Sequence, residues 1–118
     1  MNDMERIHHQ WHEYAKGRDT AALIELYAED AVFESPLVPV IMGSDSGVLR
    51  GRPQILAFLE EGTRRRPNEL VRWYRTGQYL VAGDTLVWEY PRQTPEGAQV
   101  DILELMQIHD GLISHPRI

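Results

Sequence analysis

The chain has 118 residues, 42% of them hydrophobic, with 12 basic side chains against 18 acidic ones and no cysteine. That size supports one core, hence a single domain over residues 1–118, and the net charge of −6 disfavours nucleic acid as a partner. The lack of cysteine excludes disulfides and thiolate chemistry, and it fits a reducing compartment.

The opening MNDMERIHHQWHEY lacks a basic start followed by an apolar run, and no later stretch is long enough to span a bilayer. A soluble cytoplasmic protein with no membrane contact is the expectation. Met4, Ile7, Trp11 and Tyr14 recur at helical spacing, with Asp3 as a cap and Gly17 as a stop. Asp19 can cap a second helix with Leu23, Leu26 and Tyr27 on its apolar face. AVFESP reads as a short strand ended by Pro36, with Phe33 and Ser35 on one side and Val32 and Glu34 on the other. Residues 37–52 give irregular signals. A third helix begins near Pro53, carries Ile55, Leu56, Phe58 and Leu59 inward, and ends at Gly62 and Pro67. ELVRWYRTGQYLV, DTLVWEYPRQT and AQVDILELMQIH, separated by AGD and PEG, predict a meander of antiparallel strands, and GLISHPRI follows the turn HDG as a last strand.

Within the third of these strands, Val100, Ile102, Met106 and Ile108 share one face, and its middle member is Glu104. A carboxylate in an apolar row is costly to bury unless it is paired, protonated or wetted by a cavity. As a pocket acid, Glu104 would have a raised pKa and could donate a hydrogen bond or move a proton. The alternatives are an ion pair with a nearby arginine, or a bulge that turns it to solvent.

Three phrases, LYAEDAVFESP, LRGRPQILAFLEE and MQIHDGLISH, occur in an element order that covers nearly the whole chain. In this it resembles the nuclear transport factor 2-like superfamily, and particularly its SnoaL-like proteins. The resemblance implies an α+β cone: a strongly bent, mostly antiparallel sheet wrapped around the N-terminal helices, enclosing an apolar pocket, often in a homodimer. That fold hosts isomerases, cyclases, dehydratases and hydrolases as well as proteins that only bind or assemble, so it does not fix an activity. In the ketosteroid isomerases of the superfamily a neutral inward acid donates to the substrate oxygen, and Glu104 falls at that position. The tyrosine and the aspartate base of those enzymes align with Trp11 and Ser35. Serine without a base beside it has no useful basicity, and an indole N–H does not readily exchange its proton in catalysis. The departure argues against isomerisation by that mechanism.

Other groups carry two readings each. Tyr14 could supply a hydrogen bond at the pocket's end or serve as core. Trp88 shares a face with Leu86 and Tyr90 that could line a pocket or meet a second subunit. His8 and His12 lie one helical turn apart, with His109 and His115 near the chain's end, but a helical pair needs a third ligand from elsewhere, and neither metal nor cofactor is expected. GSDSG (43–47) resembles a nucleophile elbow without its strand–turn–helix context, so a loop or lid is the better reading. TRRRP (63–67) suits either an anionic ligand or the end of a helix dipole.

The sequence therefore leads to a cone that takes a small apolar molecule. Glu104 and Tyr14 are the candidate reacting groups, and Trp11, Phe33, Ser35, Trp88, Ile102 and Met106 the candidate lining. Isomerase, cyclase or lyase chemistry on a carbonyl compound is one outcome, and a non-catalytic dimeric binding or interaction module is the other.

Overall fold

The computed structural model describes residues 2–65 and 76–118, together with the backbone of residues 72 and 73. Helix α1 spans Asp3–Lys16. Its cap is Asn2 rather than Asp3: the Asn2 side-chain oxygen accepts from the Glu5 amide at 2.8 Å. Asp3 sits inside the first turn, where a carboxylate suits the helix dipole, and meets Arg6 at 3.4 Å.

Helix α2, Thr20–Ile24, is capped by Asp19 but stops short of Leu26 and Tyr27. The sheet takes the groups that a longer helix would need. The Ile113 amide donates to the Leu26 carbonyl and the Ala28 amide donates to the Ile113 carbonyl, both at 2.8 Å.

Strand β1, Val32–Glu34, leads into a region that is more regular than expected. Helix α3 occupies Leu37–Met42 and strand β2 Val48–Arg50. The Ser35 hydroxyl accepts from the Leu37 amide at 3.0 Å, and Pro39 falls in the first turn, where its missing N–H costs nothing. Helix α4 runs Arg52–Arg65. Gly62 does not end it. That glycine is buried within the helix beside Ile41, while Pro67 lies outside the described residues.

The remaining strands are β3 Arg72–Trp73, β4 Leu80–Ala82, β5 Thr85–Glu89, β6 Arg92–Gln93, β7 Gln99–Val100, β8 Leu103–His109 and β9 Leu112–Arg117. Residues 69–71, 74 and 75 of the first expected strand segment lie outside the description. Instead of one meander there are two sheets, ordered β2-β1-β9-β8-β5-β4 and β3-β6-β7. The first is antiparallel except at the parallel β1–β9 contact. The chain leaves it at Pro91, which has no amide to extend the β5–β8 ladder. Val100 consequently lies on β7 and is exposed, outside the buried row of Ile102, Glu104, Met106 and Ile108.

The long sheet curls around α1. Across β5 and β8 the register sets Leu86 opposite Met106 and Trp88 opposite Glu104. Leu86, Trp88 and Tyr90 are all buried within the chain, so that stripe does not present itself to a partner. At the β8–β9 turn both Asp110 (φ 51°) and Gly111 (φ 77°) are left-handed, as a two-residue hairpin connection demands. Arg6 donates to the Gly111 carbonyl at 2.7 Å and ties α1 to this turn.

Closure of β2 on β1 depends on Gly47, whose carbonyl accepts from the Ser35 amide at 2.9 Å. A Cβ at position 47 would stand 2.8 Å from the Ser35 carbonyl oxygen, a backbone atom that cannot swing away. Gly47→Ala is expected to destabilise the protein by about 1–3 kcal/mol, as overpacking does. An unchanged urea midpoint would show that this junction gives way freely.

Candidate functional site

Trp11, Tyr14, Phe33, Ile102 and Glu104 all line one cavity of about 760 Å³, open at one side. Helix α1 supplies the first two, β1 the third, and the run into β8 the last two. Ser35, Trp88 and Met106 are buried but are not among its lining residues. The Ser35 hydroxyl is occupied with the start of α3. Trp88 sits behind Trp11, ring centroids 5.1 Å apart, and Met106 is wholly enclosed in the core.

Glu104 is 1% exposed. Burial pushes its pKa from the ordinary 4.5 up to about 8, against the opposing effects of a hydrogen bond from Tyr90 and the charge of Arg92. Its Oε2 atom is buried and has no hydrogen-bond partner among the described residues. At neutral pH the group is therefore chiefly a carboxylic acid, with one oxygen satisfied by Tyr90 and one open.

The polar neighbours come from places that pattern reading did not single out. Tyr27, just past α2, is fully buried and lines the cavity; its hydroxyl accepts from the Trp11 indole N–H at 3.3 Å. Burial, and then the nearby Glu104, raise the pKa of both Tyr27 and Tyr90, so both stay as neutral phenols. Arg92, buried on β6, stacks over the Tyr90 ring with its guanidinium carbon 5.5 Å from the centroid. Pro91 supplies the geometry: it breaks the strand between the two residues, so that Tyr90 and Arg92 both line the cavity. EYPR in the sequence is the signal that could have found them, because proline between two inward polar residues is unusual for a central strand. Tyr14 is half-buried on the cavity wall, while Tyr27 and Tyr90 are, among the described residues, the phenols within electrostatic reach of Glu104.

The histidines disperse. His8 and His12 stack at 4.5 Å beneath Trp88, His109 lies exposed beside Asp110, and His115 bonds to Glu34. Among the described residues no three His, Cys, Asp or Glu side chains gather as a metal site. In the 43–47 loop Ser44 and Ser46 bond locally, and Asp45 is exposed. Of the arginine run, Arg64 and Arg65 pair with Glu61, and Arg66 lies outside the description. No helix among the described residues is long and apolar enough to cross a membrane.

Two buried groups give stability opposite slopes with pH. Glu104 keeps in the folded state a proton that the unfolded chain releases above about 4.5, so its contribution is lost as pH rises toward about 8. His12, lowered by burial from 6.5 to about 4, refuses a proton that the unfolded chain accepts, so its contribution is lost as pH falls through that window. The slopes oppose each other between about 4.5 and 6.5, and only the Glu104 slope persists above. The melting temperature should peak in the mildly acidic range and decline from pH 6.5 to 8. Glu104→Gln should flatten that decline; a variant with the wild-type slope would assign it to another group.

A family model described as the SnoaL-like domain matches residues 8–115. No functionally curated protein matches the chain. The chain is similar to a SnoaL-like protein of unknown function from Burkholderia thailandensis at 23% identity, covering 98% of this chain and 91% of that one, with a TM-score of 0.74. A proposed polyketide cyclase from Sinorhizobium meliloti is 21% identical over 99% and 98% of the two chains, TM-score 0.71. TerC, co-crystallised with polyporic acid, is 18% identical over 98% and 89%, TM-score 0.73. Identities this low establish the fold and nothing finer. With the bent sheet wrapped around α1 and the family match over residues 8–115, the chain belongs to the SnoaL-like family of the nuclear transport factor 2-like superfamily.

Proposed function

We propose that this protein binds an apolar small carbonyl compound in the cone, with protonated Glu104 donating a hydrogen bond to its oxygen. The observation that carries the reading is a buried acid, Glu104, on the wall of an otherwise mainly apolar cavity, with one carboxyl oxygen, Oε2, that has no hydrogen-bond partner among the described residues. A buried acid that lacks a partner is destabilising on its own, and a ligand acceptor would remove that cost. Trp11, Phe33 and Ile102 would hold a flat body against the wall, and Tyr90 would fix the carboxyl's orientation. The co-crystallised ligand of TerC supports a small molecule in a fold of this kind.

Such an arrangement polarises a carbonyl and would stabilise the enolate formed when its α-proton passes to water at the open side of the cavity, which is the shared step of isomerase, cyclase and lyase chemistry. Ser35, tied to α3, supplies no base for it. A homodimer is part of the proposal, supported by edge strand β4, where Leu80 is 73% exposed beside the exposed Val81.

The test is titration of 2-acetonaphthone followed through the protein's tryptophan fluorescence. Saturable binding is expected. Glu104→Leu, which removes the donor, should weaken it roughly tenfold, while Glu104→Gln keeps a donor and most of the affinity. Absence of saturable binding, or affinity indifferent to Glu104→Leu, would remove the reading. Deuterium exchange at the ketone's α-carbon, catalysed by wild type and lost in Glu104→Leu, would mark a proton-transfer site.

A further inference from the structure

The cavity lining passes from buried to exposed residues. Glu104, Tyr27, Trp11 and Phe33 belong to its inner part, each at most 5% exposed. Val40 on α3, Val100 on β7 and Leu103 at the start of β8 line the same cavity while 70%, 41% and 56% exposed. Six large hydrophobic side chains are exposed among the described residues, and three of them stand here, so this is a patch continuous with the cavity and not a scatter of single residues. Leu80 and Val81, on edge strand β4, are not among its lining residues. Helix α3 is seated where it presents this patch: Ile41 packs on buried Gly62 of α4, where an added Cβ would stand 3.8 Å from the Ile41 Cδ1 atom. The charged residues of the outer wall, Arg18, Asp19, Arg65 and Asp101, carry both signs and offer no net field to a charged end group.

Size points the same way. At water's share of liquid volume, about 30 Å³ each, a cavity of about 760 Å³ holds roughly 25 water molecules, about twice the number of non-hydrogen atoms in a two-ring ketone. A flat ketone at Glu104 therefore leaves the outer wall uncovered. Burial of apolar surface is non-directional, so a hydrocarbon chain gains from that wall without any fixed donor or acceptor. We propose that the ligand is a carbonyl compound with a flat body and an apolar chain at the far end from its carbonyl, the body lying at Glu104 and the chain leaving the cavity across Val40, Val100 and Leu103. This rests on the pocket reading above and narrows its ligand class.

Isothermal titration calorimetry with 2-acetonaphthone and 6-pentyl-2-acetonaphthone tests the inference, since the two share the ketone and the rings and differ in the chain. In the wild-type protein the pentyl chain should tighten binding at least about fivefold, the gain expected when its methylenes are only partly buried. Val40→Asp should cut that gain by more than half. Met42→Asp changes an exposed residue of the same helix that is not among the lining residues, and it should keep the gain. A smaller gain in the wild-type protein, a gain that Val40→Asp does not halve, or one that Met42→Asp reduces equally would overturn the chain proposal, while Glu104-dependent binding of 2-acetonaphthone would leave the pocket reading standing. A dimer in sedimentation velocity that Val40→Asp dissolves would assign the patch to a second copy of the chain and also overturn it. Binding of neither ketone would overturn both. Val100→Asp, on a different element, gives the same comparison if Val40→Asp does not fold.

Discussion

The cost of ionising a carboxyl away from water governs this molecule's chemistry. Glu104 lies opposite Trp88 on the neighbouring strand, among Ile102 and Met106, where solvent cannot stabilise a charge. Each pKa unit of displacement corresponds to about 1.4 kcal/mol, so keeping this acid inside opposes folding at neutral pH by several kcal/mol. A hydrophobic core would be simpler to build with leucine there. The surrounding groups soften the penalty without cancelling it: Tyr90 satisfies one oxygen, Arg92 adds a favourable field, and the second oxygen is left open. A partly satisfied buried polar network is worse for stability than an apolar one.

Fold and site are linked through a few backbone constraints. The β5–β8 register sets which side chain faces Glu104, and Pro91 ends that ladder and sends the chain into the second sheet with Arg92 inward. The Leu26 carbonyl and Ala28 amide are claimed by Ile113, which stops α2 and leaves Tyr27 fully buried on the cavity wall. Helix α1 is anchored at one end by Arg6 on the Gly111 carbonyl, so Trp11 meets Tyr27 at a fixed depth. None of these devices is catalytic, and each decides where a polar atom points.

The cone was legible because periodicity and turn chemistry agree with it over most of the chain. Glu104 stood out for a local reason: a lone carboxylate in a row of alternating apolar residues breaks a pattern that is otherwise kept. Tyr27 and Arg92 were harder to see. Tyr27 continues the helical spacing of Leu23 and Leu26, and only a pairing with Ile113, 86 positions along the chain, reveals that the helix stops. Arg92 follows a proline in what reads as the frayed end of a strand, where a charged residue is ordinarily solvated. Helix α3 was hidden because Pro39 lies within it, and a proline in the first turn of a six-residue helix looks from sequence like a breaker. Ser35 and Met106 have the right parity to face the interior, but parity gives the side of a sheet and not the distance to a hollow.

Helix α1 also divides the interior unevenly. On one flank Trp11 and Tyr14 face open space, while on the other His8 and His12 press against Trp88 and, for His8, Tyr79. Removing the Trp88 indole would empty part of that packed flank at a cost of about 3–5 kcal/mol, the usual toll for emptying a core position. The same scaffold thus devotes one flank of α1 to ring-to-ring packing and keeps the other beside the cavity, so substitutions that loosen the packed flank act on stability rather than on the cavity's lining.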